Sequence, residues 1–62
     1  MKNLIKNKRK YYEITQEQLA QKVQINRAYL SKIENDLRVP SVRIAKKIAE
    51  ELDFDWTLFF TN

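Results

Sequence analysis

The stretch ITQEQLAQKVQINRAYLSKIEN, residues 14–35, decides the fold. It opens on Thr15-Gln16-Glu17-Gln18, the pattern of a capping box. In that motif the Thr hydroxyl and the Gln amide satisfy free backbone donors at a helix start. The pattern predicts a short helix from Gln16 to about Val23. Asn26 is a second cap signal and predicts a helix from Arg27 to about Asn35. Only Gln24, Ile25 and Asn26 separate the two, so they are joined by a tight turn. An apolar residue just before each cap pairs with one five positions later, Ile14 with Leu19 and Ile25 with Leu30. Such pairs are the hydrophobic staples that fix a helix's entry angle.

The same signals extend outward along the chain. Asn3 is placed to cap a first helix running to about Tyr12, and Pro40-Ser41 starts a fourth that ends near Leu52. Asp55 caps a fifth, with Phe54 and Phe59 as a third staple pair. Ile5, Ile14, Leu19, Ala20, Val23, Ile25, Leu30, Ile33, Ile44, Ala45, Ile48, Ala49, Leu52, Phe54 and Phe59 recur at three- and four-residue spacing, as amphipathic helices require. The expectation is an all-α, compact five-helix bundle, with residues 1–62 forming one domain.

Composition narrows the function. The chain has 62 residues and no cysteine, histidine or glycine. It therefore lacks the commonest metal ligands, the commonest general base and any glycine-built phosphate loop. No enzyme activity, cofactor or metal is expected. No apolar run approaches a membrane span, and no signal-peptide stretch follows Met1-Lys2-Asn3. A cytoplasmic, nucleoid-associated protein is the expectation, with no membrane partner. The net charge of +4 is unevenly spread: residues 1–10 carry +5, 11–25 carry −1, 26–47 carry +4 and 48–62 carry −4. A basic body thus ends in an acidic, aromatic tail.

The helix from Arg27 turns Tyr29, Leu30 and Ile33 one way at about 100° per residue. Arg27, Ala28, Ser31, Lys32 and Asn35 face the other way. Two small residues between two cations let a backbone approach another surface while the long side chains reach past it. A DNA major groove offers guanine O6 and N7 to such cations and a thymine methyl to such small side chains. The same composition also suits an ordinary solvated helix face, and the face alone does not choose between the two.

The run from Ile14 to Asn35 resembles the lambda-repressor/Cro-like (XRE) helix-turn-helix family. The likeness reaches from Arg9 through Thr15-Gln16, Ala20 and Ile33-Glu34-Asn35 to Pro40-Ser41, Ile48-Ala49 and Asp55 to Phe60. It implies a lambda-repressor-like DNA-binding domain in which Arg27, Ala28 and Lys32 read bases. It likewise implies contacts to the DNA backbone from Gln16, Asn26, Tyr29, Ser31 and Asn35, with Arg38 and Arg43 adding phosphate contacts. More local roles compete for some of these residues: first-turn helix residue for Gln16, helix termination for Asn35, packing on the second helix for Tyr29. Arg9 and Glu34 match positions that the family joins in a partly buried salt bridge.

Departures from the family are as informative. Glu13, Gln24, Asp36 and Asp53 stand where it usually has glycine after helix ends. Either Glu13 and Gln24 accept left-handed strain, or these turns use other dihedrals. Lys8 occupies a usually apolar position, so its stem is expected along the core with the ammonium outside. In the tail, Trp56, Leu58 and Phe60 either cover the end of the bundle or form a dimer interface. The expected function is a sequence-specific regulator, a repressor binding a pseudo-palindromic operator on double-stranded DNA as a homodimer. Two other readings fit: an antitoxin that autoregulates and binds a toxin, or a protein-interaction module. With no ligand domain, the expected effector is a protein antagonist or toxin, or else control is by concentration.

Overall fold

The computed structural model describes residues 3–61; Met1, Lys2 and Asn62, and with them the first lysine of the basic N-terminal run, lie outside the described residues. The order is α1 (Leu4–Tyr11), α2 (Gln16–Val23), α3 (Arg27–Glu34), α4 (Val42–Leu52) and a 3₁₀ helix (Trp56–Phe60). The expected fifth α-helix is therefore corrected to a single short 3₁₀ segment. Its tightness follows from Asp55, whose carboxylate accepts from both the backbone N–H and the hydroxyl of Thr57 at 3.0 and 2.8 Å. Leu58 N–H then closes back onto the Asp55 carbonyl at 3.1 Å, a three-residue span rather than four.

Caps set the other boundaries. Thr15 Oγ1 accepts from Gln18 N–H at 3.0 Å, and Gln18 Oε1 accepts from Thr15 N–H at 2.9 Å, a complete capping box. Asn26 caps α3 through Tyr29 N–H at 2.7 Å, and Ser41 caps α4 through Ile44 N–H at 3.2 Å. Asn3 does not cap α1 with its side chain. Its backbone sits at φ 71, outside the extended region from which an N-cap side chain reaches the first turn.

The core is a single cluster around α4, which contributes Ile44, Ala45, Ile48 and Leu52 from one face. Leu19, Ala20 and Val23 of α2, Leu30 and Ile33 of α3, Ile5 of α1 and Phe59 complete it. Ile14, Ile25, Tyr29, Phe54 and Trp56 are partly buried against that cluster. Each fully buried Leu or Ile contributes about 1.5–3 kcal/mol, so Leu19, Leu30, Ile33, Ile48 and Leu52, with Ile5 as the anchor of α1, are what hold so short a chain together. Both α1 and α2 pack on α3 and on α4, while the 3₁₀ helix packs on α4.

Glu13, Gln24, Asp36 and Asp53 all adopt positive φ, at 56, 61, 60 and 56°. The turns thus keep the left-handed geometry that glycine ordinarily serves. After each of them the next N–H bonds back five positions, Ile14 to Arg9, Ile25 to Ala20, Leu37 to Lys32 and Phe54 to Ala49, at 2.8–3.1 Å. These are Schellman closures, which satisfy carbonyls that a helix end would otherwise leave free.

Candidate nucleic-acid interface

The α2–α3 pair forms a compact unit because three features coincide. Ala20, 3% exposed, lets the two helices approach closely. Gln24 reverses the chain, and Asn26 restarts it. Leu30 and Ile33 are buried at 0 and 2% exposure, which anchors α3 by its inner face. Arg27, Ala28 and Lys32 are exposed on the other side, and Ser31 is half-buried. Tyr29 is half-buried against the core cluster, with the Arg38 guanidinium 6.0 Å from its ring centroid.

Behind this face lies the only buried charged residue among the described residues, Glu34, at 2% exposure. Its Oε2 accepts from Arg9 Nε at 2.9 Å and its Oε1 from Arg9 Nη2 at 3.0 Å, a bidentate pair joining α1 to α3. Arg9 Nη1 also donates to the Ile14 carbonyl at 3.3 Å, so one guanidinium ties both helices to the α1–α2 turn. Gln16 Nε2 donates to Glu34 Oε1 at 3.3 Å, and Gln16 Oε1 accepts from Arg27 Nε at 3.0 Å. No buried side-chain polar atom among the described residues lacks a partner.

An open groove of about 780 Å³ runs beside this network, lined by Lys6, Arg9, Lys10, Glu13, Ile14, Thr15, Gln16 and Arg27. With Arg9 paired to Glu34, three cations (Lys6, Lys10 and Arg27) stand against the Glu13 carboxylate along it, and the amino end of α2 opens onto it. Lys6 also donates to Asn35 Oδ1 at 3.3 Å, while Asn35 Nδ2 donates to the Ser31 carbonyl at 2.8 Å. Lys6 and Lys10 match no cap, staple or motif position in the sequence. Their four-residue spacing on α1, within the most basic run of the chain, is the signal that places both on one face.

Other expected positions are more dispersed. Asn26, Asn35, Arg38 and Arg43 are exposed at the start of α3, its end, the α3–α4 loop and the first turn of α4. Leu58 and Phe60 are 41 and 44% exposed on the 3₁₀ helix. Trp56 is half-buried, with the Lys46 ammonium 5.0 Å above its ring.

The architecture agrees with a helix-turn-helix family profile that matches residues 5–59, nearly the whole chain. The chain belongs to the lambda-repressor/Cro-like (XRE) helix-turn-helix family. It is 50% identical over 62 residues to a Bacillus subtilis (strain 168) protein named as the uncharacterized HTH-type transcriptional regulator YqaF. That match covers 100% of this chain and 82% of the relative. In this XRE-type chain α3 is thus the second helix of the motif, with Arg27 at its first position and Gln16 at the first position of α2. No helix among the described residues is long and apolar enough to cross a membrane.

Proposed function

We propose that this protein is a sequence-specific repressor that occupies a pseudo-palindromic operator as a homodimer in the bacterial cytoplasm, with residues 1–62 acting as one DNA-binding unit. The observation that carries the reading is the two-sidedness of α3. Leu30 and Ile33 lock one side into the core while Arg27, Ala28 and Lys32 stand exposed on the other. A helix held this way presents a rigid edge to the major groove, where cations donate to guanine and a small side chain meets a thymine methyl. Gln16, Asn26, Tyr29, Ser31, Asn35, Arg38 and Arg43 provide contacts to the sugar-phosphate backbone. Each such cationic contact releases counterions and makes binding fall with salt. No chemistry is performed, and repression follows from occupancy.

The deciding experiment is in vitro selection from randomised duplexes, reporting both motif and half-site spacing. Two half-sites about 34 Å apart, one turn of DNA, are expected from a dimer. On the selected site Arg27→Ala is expected to cost about 1–3 kcal/mol and to relax discrimination at one base pair per half-site. An equal loss on random DNA would make Arg27 an electrostatic contact only.

A further inference from the structure

Arg27 belongs to two surfaces. It begins the exposed face of α3, and it also lines the open groove of about 780 Å³ that runs past the start of α2 to α1. Lys6 and Lys10 line the α1 side of that groove, both exposed and about one helical turn apart. The cations there differ in how far the protein already engages them. Arg9 is held by buried Glu34 through two bonds, and Arg27 donates Nε to Gln16 at 3.0 Å. Lys6 gives one of its three donors to Asn35 Oδ1 at 3.3 Å. Lys10 makes no ion pair among the described residues, although Glu13 lines the same groove. Two ammonium groups therefore keep most of their charge for something outside the protein.

The layout favours one kind of anion. A small ion would be poorly enclosed, because the cations are strung along an open groove from α3 to α1 rather than gathered about one point. A nucleic-acid strand presents its charges in the same serial way, one phosphate per roughly 3.4 Å of duplex axis. None of the groove's lining residues belongs to α4 or the 3₁₀ helix, the elements that hold the Leu58 and Phe60 patch. A second copy docked through that patch would leave the groove open, on the side of each copy away from its partner. We propose that Lys6 and Lys10 bind sugar-phosphate backbone outside the base pairs that α3 reads, extending each copy's footprint outward along the duplex. The proposal rests on the DNA-reading function above and adds a flanking contact that carries no base information. Glu13 opposes it, because its carboxylate lines the groove that the phosphates would enter.

Duplex length separates this contact from base reading. The test measures Kd from about 50 to 200 mM salt for the selected site cut at its outermost specified base pairs. The same site with about half a turn of duplex added at each end is measured beside it. Wild type is expected to gain from the added flanks whatever their sequence. Its salt slope should steepen by about 2 per bound copy, so the gain shrinks roughly tenfold across that range. Lys6→Gln with Lys10→Gln is expected to abolish the gain while keeping base preference and affinity for the short duplex. Lys22→Gln with Lys47→Gln removes the same charge from a different recess and is expected to keep the gain. Glu13→Gln is expected to tighten binding to the long duplex more than to the short one, an outcome that a folding defect cannot produce. Equal losses on both duplexes, equal losses from the two double variants, or no long-duplex gain from Glu13→Gln overturns the proposal. Wild type that selects a site but gains nothing from flanks overturns this proposal alone. Wild type with no sequence preference overturns the DNA-reading function itself, and this proposal with it.

Discussion

Gln24 sits at φ 61 and ψ 44, where its Cβ crowds its own carbonyl. Glu13 is held in the same region at φ 56. What offsets the cost is visible in the residue that follows each. Ile14 and Ile25 donate the five-position closing bonds to Arg9 and Ala20 and bury part of their side chains against the core. They also precede the caps Thr15 and Asn26, so each finishes one helix and staples the next. Phe54 does the same between α4 and the 3₁₀ helix, with its ring centroid 5.7 Å from that of Phe59. Asp36 is the exception, because a longer loop follows it and Leu37 is 71% exposed. The strain at Gln24 is thus local, and glycine would remove it at some cost in unfolded-state entropy. Gln24→Gly is expected to stabilise by about 0.5–1 kcal/mol, a rise in Tm of about 2–8 °C for a chain of this size. Asp36→Gly is expected to gain less, since Asp tolerates the region better. Thermal melts of both variants check this, and a Tm for Gln24→Gly at or below wild type would show that the turn is not strained.

At the scale of elements, the caps were legible because they are local. Thr15, Asn26 and Ser41 each bond an N–H three residues on, and a pattern that short is written in consecutive letters. Helix type was less legible. Asp55 reads equally well as the cap of an α- or a 3₁₀ helix, and only the double bond to Thr57 and the three-residue closure by Leu58 distinguish them. The relay from Arg9 through Glu34 and Gln16 to Arg27 was not legible as a unit. Its members come from three helices, and its direction depends on which end of one amide meets the carboxylate. The Asp55 cap has a pH signature. The Thr57 hydroxyl, and then the Thr57 N–H, hold the Asp55 carboxyl below its ordinary 3.8. A group lowered on folding stabilises fully above its unfolded value, and that contribution fades as pH falls through the folded one. The 3₁₀ helix is therefore expected to hold down to about pH 4 and loosen below it. An NMR titration of the Asp55 carboxyl carbon should give a midpoint under 3.8, and Thr57→Val should move it upward. A midpoint at or above the ordinary value would mean that the Thr57 bonds do not hold in solution.

For the whole molecule, the proposed pseudo-palindromic operator sets a geometric condition on a body with principal extents of 27 × 21 × 18 Å. One such body spans less than the roughly 34 Å between successive major-groove faces on one side of DNA, so on the proposed operator a single copy would read one half-site. The 3₁₀ helix packs on α4, whereas α3 packs on α1 and α2, which leaves Leu58 and Phe60 away from α3. A second copy docked through that patch would bury exposed apolar surface without covering Arg27 or Lys32. It would also enlarge the core of a chain short enough to be marginal alone. Trp56 contributes less to such a contact than its neighbours, because its ring is half-buried against the core and stacked under Lys46. The double variant Leu58→Ser, Phe60→Ser is expected to shift sedimentation from dimer to monomer. Operator binding by that variant should change from one cooperative step to weaker, stepwise filling of half-sites. Because both side chains are substantially exposed, the monomer's own melting at low concentration should move little. Wild type that sediments as a monomer at high micromolar concentration would remove the dimer, and the palindrome would then have to be read by two independent copies.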